Sequence, residues 1–239
     1  EKAGKWFGQI REICDRDNGK LWGKNLYGPV MLVERSTRKI VANQQDRDGL
    51  LKLKDGVYQG LYPKEQLINF GASTYGGTLY AMAPLPQEED DYRIRWMAVR
   101  SLYRCFAVTS GIPVRSFNVS HFDDREARLW IKLEWKALRK AVNSEGESRT
   151  LAIRDALIFR GANRELLPSS AMEADMFETN EGLATFTHTL LCTNSSDEFR
   201  QRLMENLDRF YSMPSFSRSF GFINGALYAT LLHEKGFDM

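Results

Sequence analysis

The hydrophobic period of this chain changes once, between Pro84 and Pro86, and that change limits the folds open to it. Before it, from Gly28 onward, short β-prone runs alternate with turn residues: PVMLVE, a polar Ser36-Thr37 break, RKIVAN, GVYQGLYP and TYGGTLYAMAP. Such runs, bounded by turn signals, predict an antiparallel β-meander with Gly76-Gly77 as a hairpin turn. Ahead of the strands, KWFGQIREICDRDNG has the spacing of a short amphipathic helix stopped at Gly19. After Pro86 the period becomes helical. QEEDDYRIRWMAVRSLYRCFAVTSG starts with acidic residues, which suit a helix N-terminus, and closes at Gly111 with Pro113 beyond. DDREARLWIKLEWKALRKAVNSEG repeats the design, with Arg139 and Lys140 near its end and Gly146 closing it. Further helices are expected at about 148–163, 172–193, 196–211 and 222–235. Strands first and helices after predicts an α+β fold with helices over one face of a sheet. The expected organisation is one domain over 1–239, mainly β at 28–84 and mainly α at 87–239.

Composition removes several classes. A hydrophobic content of 43% is ample for a packed core. Lys and Arg number 33 against 31 Asp and Glu, so a balance of +2 gives no field to draw nucleic acid or an anionic membrane. Arg93, Arg95, Arg100 and Arg104, then Arg125, Arg128, Lys132, Lys136, Arg139 and Lys140, read as solvated helix faces. No run approaches the roughly 18 apolar residues of a membrane span. Cys14, Cys105 and Cys192 lack Cys-x-x-Cys spacing and allow at most one bridge, which excludes a disulfide framework.

Two carboxylates stand out. On a helix turning about 100° per residue, Ala127, Trp130, Ile131, Leu138 and Ala141 fall within about 60° of Glu134, placing it mid-stripe on an apolar face. A carboxylate there must be paired, protonated or open to a cleft. Arg154, Arg160 or Arg164 on the next helix would make the pair, and catalysis is the competing role. Glu181, in ETNEGLATFT, lies opposite the stripe Met172, Met176, Leu183, Phe186 and Leu190, so it faces solvent or a cleft. His188 shares that side and reads as a surface histidine. His121, His188 and His233 form no His-Glu-x-x-His, the spacing that aims two imidazoles at one zinc. Neither a Walker loop nor a nucleophile elbow is present.

Strands ending in GGTLYAM, a helix, and a later helix bearing Asn180-Glu181-Gly182-Leu183-Ala184 together resemble the gluzincin metallopeptidases, the aminopeptidase-like and thermolysin-like group. LWGKNLYGPVMLV, IKLEWKALRKA, DALIFR and NEGLATFT extend the likeness to bacterial proteins of peptidase-like organisation, many of them exported. The resemblance makes Glu181 the third zinc ligand. It also aligns Val99, Arg100 and Tyr103 with the family's His, Glu and His, so both imidazoles and the general base are replaced and zinc is expected to be absent. On this reading Arg100 or Arg104 supplies the positive charge that faced Glu181, and Tyr228 lines the same cleft, where the family's late tyrosine stabilises an oxyanion; a tyrosine packed on the core is the alternative.

The expected function is accordingly a non-catalytic, gluzincin-like protein that takes a peptide or protein partner in a vestigial cleft, with no cofactor. The resemblance implies export to the periplasm or beyond, and a chain opening on Glu1 is consistent with a removed leader. A hydrolase using Glu134 and Glu181 as paired carboxylates is the enzyme alternative. An assembly module, marked by an exposed apolar patch, is the third.

Overall fold

The computed structural model describes residues 2–85, 90–112 and 119–237. Glu88 and Glu89, read above as the acidic start of a helix, and Pro113 beyond its end lie outside the described residues. The chain divides into two compact units, Glu1–Ile112 with Leu190–Cys192, and Pro113–Thr189 with Thr193–Met239.

The first unit opens with helix α1 (Lys2–Asp17), which buries Phe7, Ile10, Ile13 and Cys14. Six strands follow: β1 (Val30–Val33), β2 (Lys39–Ala42), β3 (Lys52–Lys54), β4 (Val57–Leu61), β5 (Gly71–Tyr75) and β6 (Thr78–Pro84). They form one sheet in the order β3-β4-β2-β1-β6-β5. The β5–β6 hairpin turns at Gly76-Gly77, both at positive φ, as the sequence predicts. The sheet is not a simple antiparallel meander, however, because β1 and β6 pair in parallel, Val30 opposite Ala81. A parallel neighbour needs a long connection, and residues 34–77, which carry β2 to β5, supply it. The sequence signal for this is VMLV itself: an unbroken apolar run marks a strand covered on both faces, and all of β1 is buried. β3, too short for a periodicity signal, is an exposed edge strand flanked by Lys52 and Lys54, charges that discourage further pairing.

One face of the sheet is a core of Met31, Val33, Ile40, Leu51, Tyr62, Tyr80 and Met82. Asp46, itself buried, accepts hydrogen bonds from the amides of Leu50 (2.8 Å) and Leu51 (2.6 Å), which satisfy its charge and hold its carboxyl below the usual range against the cost of burial. Helix α2 (Asp91–Thr109) is capped by Asp90, whose carboxylate accepts from the Arg93 amide. It is fastened to the sheet by the Ser101 hydroxyl, which donates to the Met82 carbonyl at 2.8 Å. The Trp6 indole and the Lys5 ammonium on α1 both donate to Asp91 at its first turn.

The second unit is helical: α3 (Arg125–Val142), α4 (Gly146–Leu166), α5 (Ala171–Phe177), a π turn at Glu178–Gly182, α6 (Leu183–Leu191, whose last two residues group with the first unit), α7 (Ser196–Tyr211) and α8 (Phe220–Glu234). Where one helix was expected over 172–193, α5, the π turn and α6 succeed one another. Ahead of α3, Asp123 accepts from the hydroxyls of Ser215 (2.7 Å) and Ser217 (2.8 Å) and from the Phe216 amide, fixing the entry to α8. α8 is apolar and buried on nearly every side. It reaches the π turn backbone to backbone. A Cβ on Gly225 would stand 2.2 Å from the Glu178 carbonyl oxygen, and one on Gly182 2.4 Å from the Cα of Gly225.

Because the obstructing atoms at Gly225 are backbone, they cannot move aside cheaply. Gly225→Ala should therefore cost about 3 kcal/mol or more, whereas Gly8→Ala on α1, with nothing within 4 Å of the new Cβ, should be neutral or stabilise by up to about 1 kcal/mol. Urea denaturation of the two variants tests the contrast.

Candidate functional site

Glu134 sits where the helical wheel places it, on the buried face of α3, only 1% exposed. Its Oε1 accepts from the Tyr228 hydroxyl at 2.9 Å and from Asn224 Nδ2 at 3.1 Å, both on α8. Asn224 in turn accepts from the indole of Trp135, the next residue of α3. Of the three arginines proposed from sequence, Arg160 is the one that faces it, with Nη1 3.7 Å from Oε1. Arg154 pairs instead with its exposed neighbour Asp155, and Arg164 serves other carboxylates.

Those carboxylates are Glu178 and Asp175. Arg160 Nη1 donates to both oxygens of Glu178 (2.8 and 2.6 Å), and its Nη2 donates to Asp175 Oδ1 (2.8 Å). Arg164 Nη2 donates to the same Asp175 oxygen (2.7 Å) and to Glu178 Oε1 (2.7 Å). Two guanidinium groups one turn apart on α4 thus interlock with two carboxylates three residues apart on α5 and the π turn. The Arg160 guanidinium also lies 5.2 Å from the centre of the Tyr228 ring. This lattice forms one wall of a cleft of about 500 Å³ lined by Leu157, Arg160, Gly161, Arg164, Ala171, Asp175, Glu178 and Thr179.

Burial sets the protonation of the cluster. It raises the Glu134 carboxyl from its ordinary 4.5 to about 7, with the neighbouring charge of Glu178 adding to the effect and Arg160, Asn224 and Tyr228 offsetting only part of it. Burial likewise pushes the Glu178 carboxyl up, against the pull of Arg160 and Arg164. It works against charging Arg160, yet Glu178 and Glu134 outweigh it and hold that guanidinium above its usual range. The Tyr228 hydroxyl is raised by burial and by Glu134.

Of the cleft candidates selected from sequence, the structure brings two together, Glu134 and Tyr228, around Arg160. Tyr228 is neither purely core nor free, since its hydroxyl is engaged by Glu134 and its ring by Arg160. Glu181 stands half-buried on the π turn, three residues beyond Glu178. His188 is a correction: it is buried, with Nδ1 2.9 Å from the Ala184 carbonyl oxygen. So is the stripe drawn through Met172, because that side chain is exposed. Both follow from which side of the helix packs inward: Ala174, Phe177, Ala184 and Thr185, which share Glu181's side of the wheel with His188, are buried, so the core lies on that side and Met172 lies opposite it. Arg100, Tyr103 and Arg104 belong to α2 in the first unit. Arg100 is 2% exposed, with its guanidinium 5.6 Å from the Phe70 ring centre. Arg104 is half-buried. Tyr103 packs on Trp22 and Phe106, and burial pushes its hydroxyl up to about 12.

Asp175, Glu178 and Asn224 were missed from sequence. The available signal was the pair of spacings, arginines at i and i+4 before the 167–170 break and acids at i and i+3 after it. All three cysteines are free thiols. Among the described residues no three His, Cys, Asp or Glu side chains converge as a metal-ligand set, and no helix is long and apolar enough to cross a membrane. Comparison of the chain with protein-family models, curated proteins and solved structures returns no match.

Two outcomes follow. Native Glu134 retains a proton that the unfolded chain releases above 4.5, so its contribution makes stability fall as pH rises from 4.5 to about 7 and level off beyond. Glu134→Gln keeps the acceptor for Asn224 and Tyr228 but cannot charge. Its melting temperature relative to wild type should be higher at pH 8 than at pH 5. Arg160→Leu, which strands Glu178 with half its partners, should cost about 3–5 kcal/mol in chemical denaturation.

Proposed function

We propose that this chain is a non-catalytic relative of gluzincin peptidases that binds a polypeptide ligand in the groove between α4 and α5. The observation that carries the binding reading is the groove itself: a preformed concavity with a charged wall already neutralised from within and an apolar side at Leu157 and Ala171. Leu157, on the apolar side, is exposed. The non-catalytic part rests on the lining, which offers no cysteine, serine or imidazole. Glu134, the carboxyl best poised near neutral pH, is buried behind Arg160 and is not among the groove's lining residues.

The ancestry rests on Asn180-Glu181-Gly182-Leu183-Ala184 and on a sheet that precedes α2; the likeness fails on that helix, where Val99, Arg100 and Tyr103 replace the family's zinc-site residues. Export to the periplasm or beyond belongs to the same proposal. The enzyme alternative is reshaped by the geometry. The carboxylate whose charge reaches Glu134 through the shared Arg160 is Glu178, so a hydrolase built here would use Glu134 with Glu178.

Gly161 supplies the test, because a Cβ there meets nothing within 4 Å and Gly161→Tyr fills the groove without displacing its walls. Wild-type protein should enrich bound sequences from a pool of short random peptides. Gly161→Tyr should lose at least about tenfold in capture, a difference of about 1.4 kcal/mol, at unchanged melting temperature, and mass spectrometry should recover the peptides intact. Peptide cleavage abolished by Glu134→Gln would make the protein a hydrolase, and equal capture by the blocked variant would move binding away from the groove.

A further inference from the structure

We infer that the groove anchors its ligand through a carboxylate, which takes the place of Asp175 on Arg160 and Arg164. The inference rests on the groove being the polypeptide site proposed above.

The two acids holding the guanidinium groups are unequal. Glu178 is 8% exposed, holding Arg160 with both of its oxygens and Arg164 with Oε1. Asp175 is 58% exposed and meets both arginines with a single oxygen, Oδ1, shared between the two Nη2 atoms. One oxygen divided between two guanidinium groups falls short of the paired geometry that arginine forms with a carboxylate. A ligand carboxylate presents two oxygens, one for each Nη2. Asp175 is also the acid that leaves most cheaply, since an ion pair open to solvent contributes little to stability.

Donors exceed acceptors on the buried side. Arg164 Nη1 is buried and has no acceptor among the described residues, while the unused oxygen of Asp175 belongs to an exposed side chain that solvent can serve. The cluster thus holds more donors than acceptors, which favours an anionic ligand at the Nη2 atoms. A cationic ligand would instead use Asp175. Leu157 and Ala171 offer apolar contact to the rest of the ligand, and the open space at Gly161 gives it room.

The anchoring group could be a peptide C-terminus or an acidic side chain, and the experiment separates them. Fluorescence anisotropy would be measured with three labelled pools of short peptides: free C-terminal carboxylate, C-terminal amide, and amide with one internal glutamate. Either carboxylate-bearing pool should bind about tenfold tighter than the plain amide, as expected for a charge-assisted pair. The free acid alone doing so identifies a C-terminus, and the glutamate pool doing so identifies a side chain. Asp175→Asn, which loosens the internal competitor, should tighten binding several-fold, and Asp175→Ala should do the same. Weaker binding by both variants would show Asp175 to be the ligand's own contact and overturn the inference in favour of a cation. Binding that Gly161→Tyr blocks, with no preference among the pools, would also overturn it while leaving the groove as the site. Binding that Gly161→Tyr does not block would remove both.

Discussion

Arg160 is the interaction on which the helical unit depends. Its guanidinium stands between Glu134 on α3 and Glu178 on the π turn, and its ring partner Tyr228 belongs to α8. With its own α4 and with α5 at Asp175, five segments share one cation. A buried carboxylate pair without it would have to give up a proton's worth of charge or open to solvent. The cluster does this in part, since Glu134 titrates near neutrality even with Arg160 present. Hydrogen bonds from Asn224 and Tyr228 then fix which oxygen of Glu134 faces α8.

That arrangement is possible because α8 comes unusually close to the π turn. Gly221, Gly225 and Gly182 clear the space: a side chain at Gly221 would strike Phe177, as one at Gly225 would strike the Glu178 backbone. The close approach delivers Asn224 and Tyr228, on the same helix, to Glu134. The π turn meanwhile keeps Glu178 beneath the two arginines while Asn180 and Gly182 are turned into the interior. π turns recur at functional sites because they re-aim side chains without ending a helix. Here the re-aimed residue is a carboxylate.

Much of this was legible from the residues. The single change of period at 84–86 separated strands from helices, and the wheel on α3 found Glu134 because uniform helical geometry holds from Arg125 to Val142. The hairpin at Gly76-Gly77 followed from its glycines. The failures have separate causes. The wheel over 172–193 took the stripe through Met172 for the core, whereas Ala174, Phe177, Ala184, Thr185 and His188 on the other side are buried. The meander assumed that sequential strands are neighbours, whereas β1 finds β6 beyond residues 34–77 and the strands they carry, as the paired positions Val30 and Ala81 show. Asp175 and Glu178 escaped notice because their spacing puts them on one face, while which arginines that face meets is set by the packing of the helices.

The dependence of Glu134 on α8 has a consequence for the order of events during synthesis. α3, α4 and the π turn leave the ribosome before α8, and chains fold progressively as they emerge. Until residues 220–234 appear, Glu134 has neither Asn224 nor Tyr228, Trp135 lacks its indole acceptor, and the π turn lacks the glycines that cover it. A nascent helical unit therefore carries an exposed apolar seam and a half-satisfied carboxylate until its last long helix supplies the missing partners.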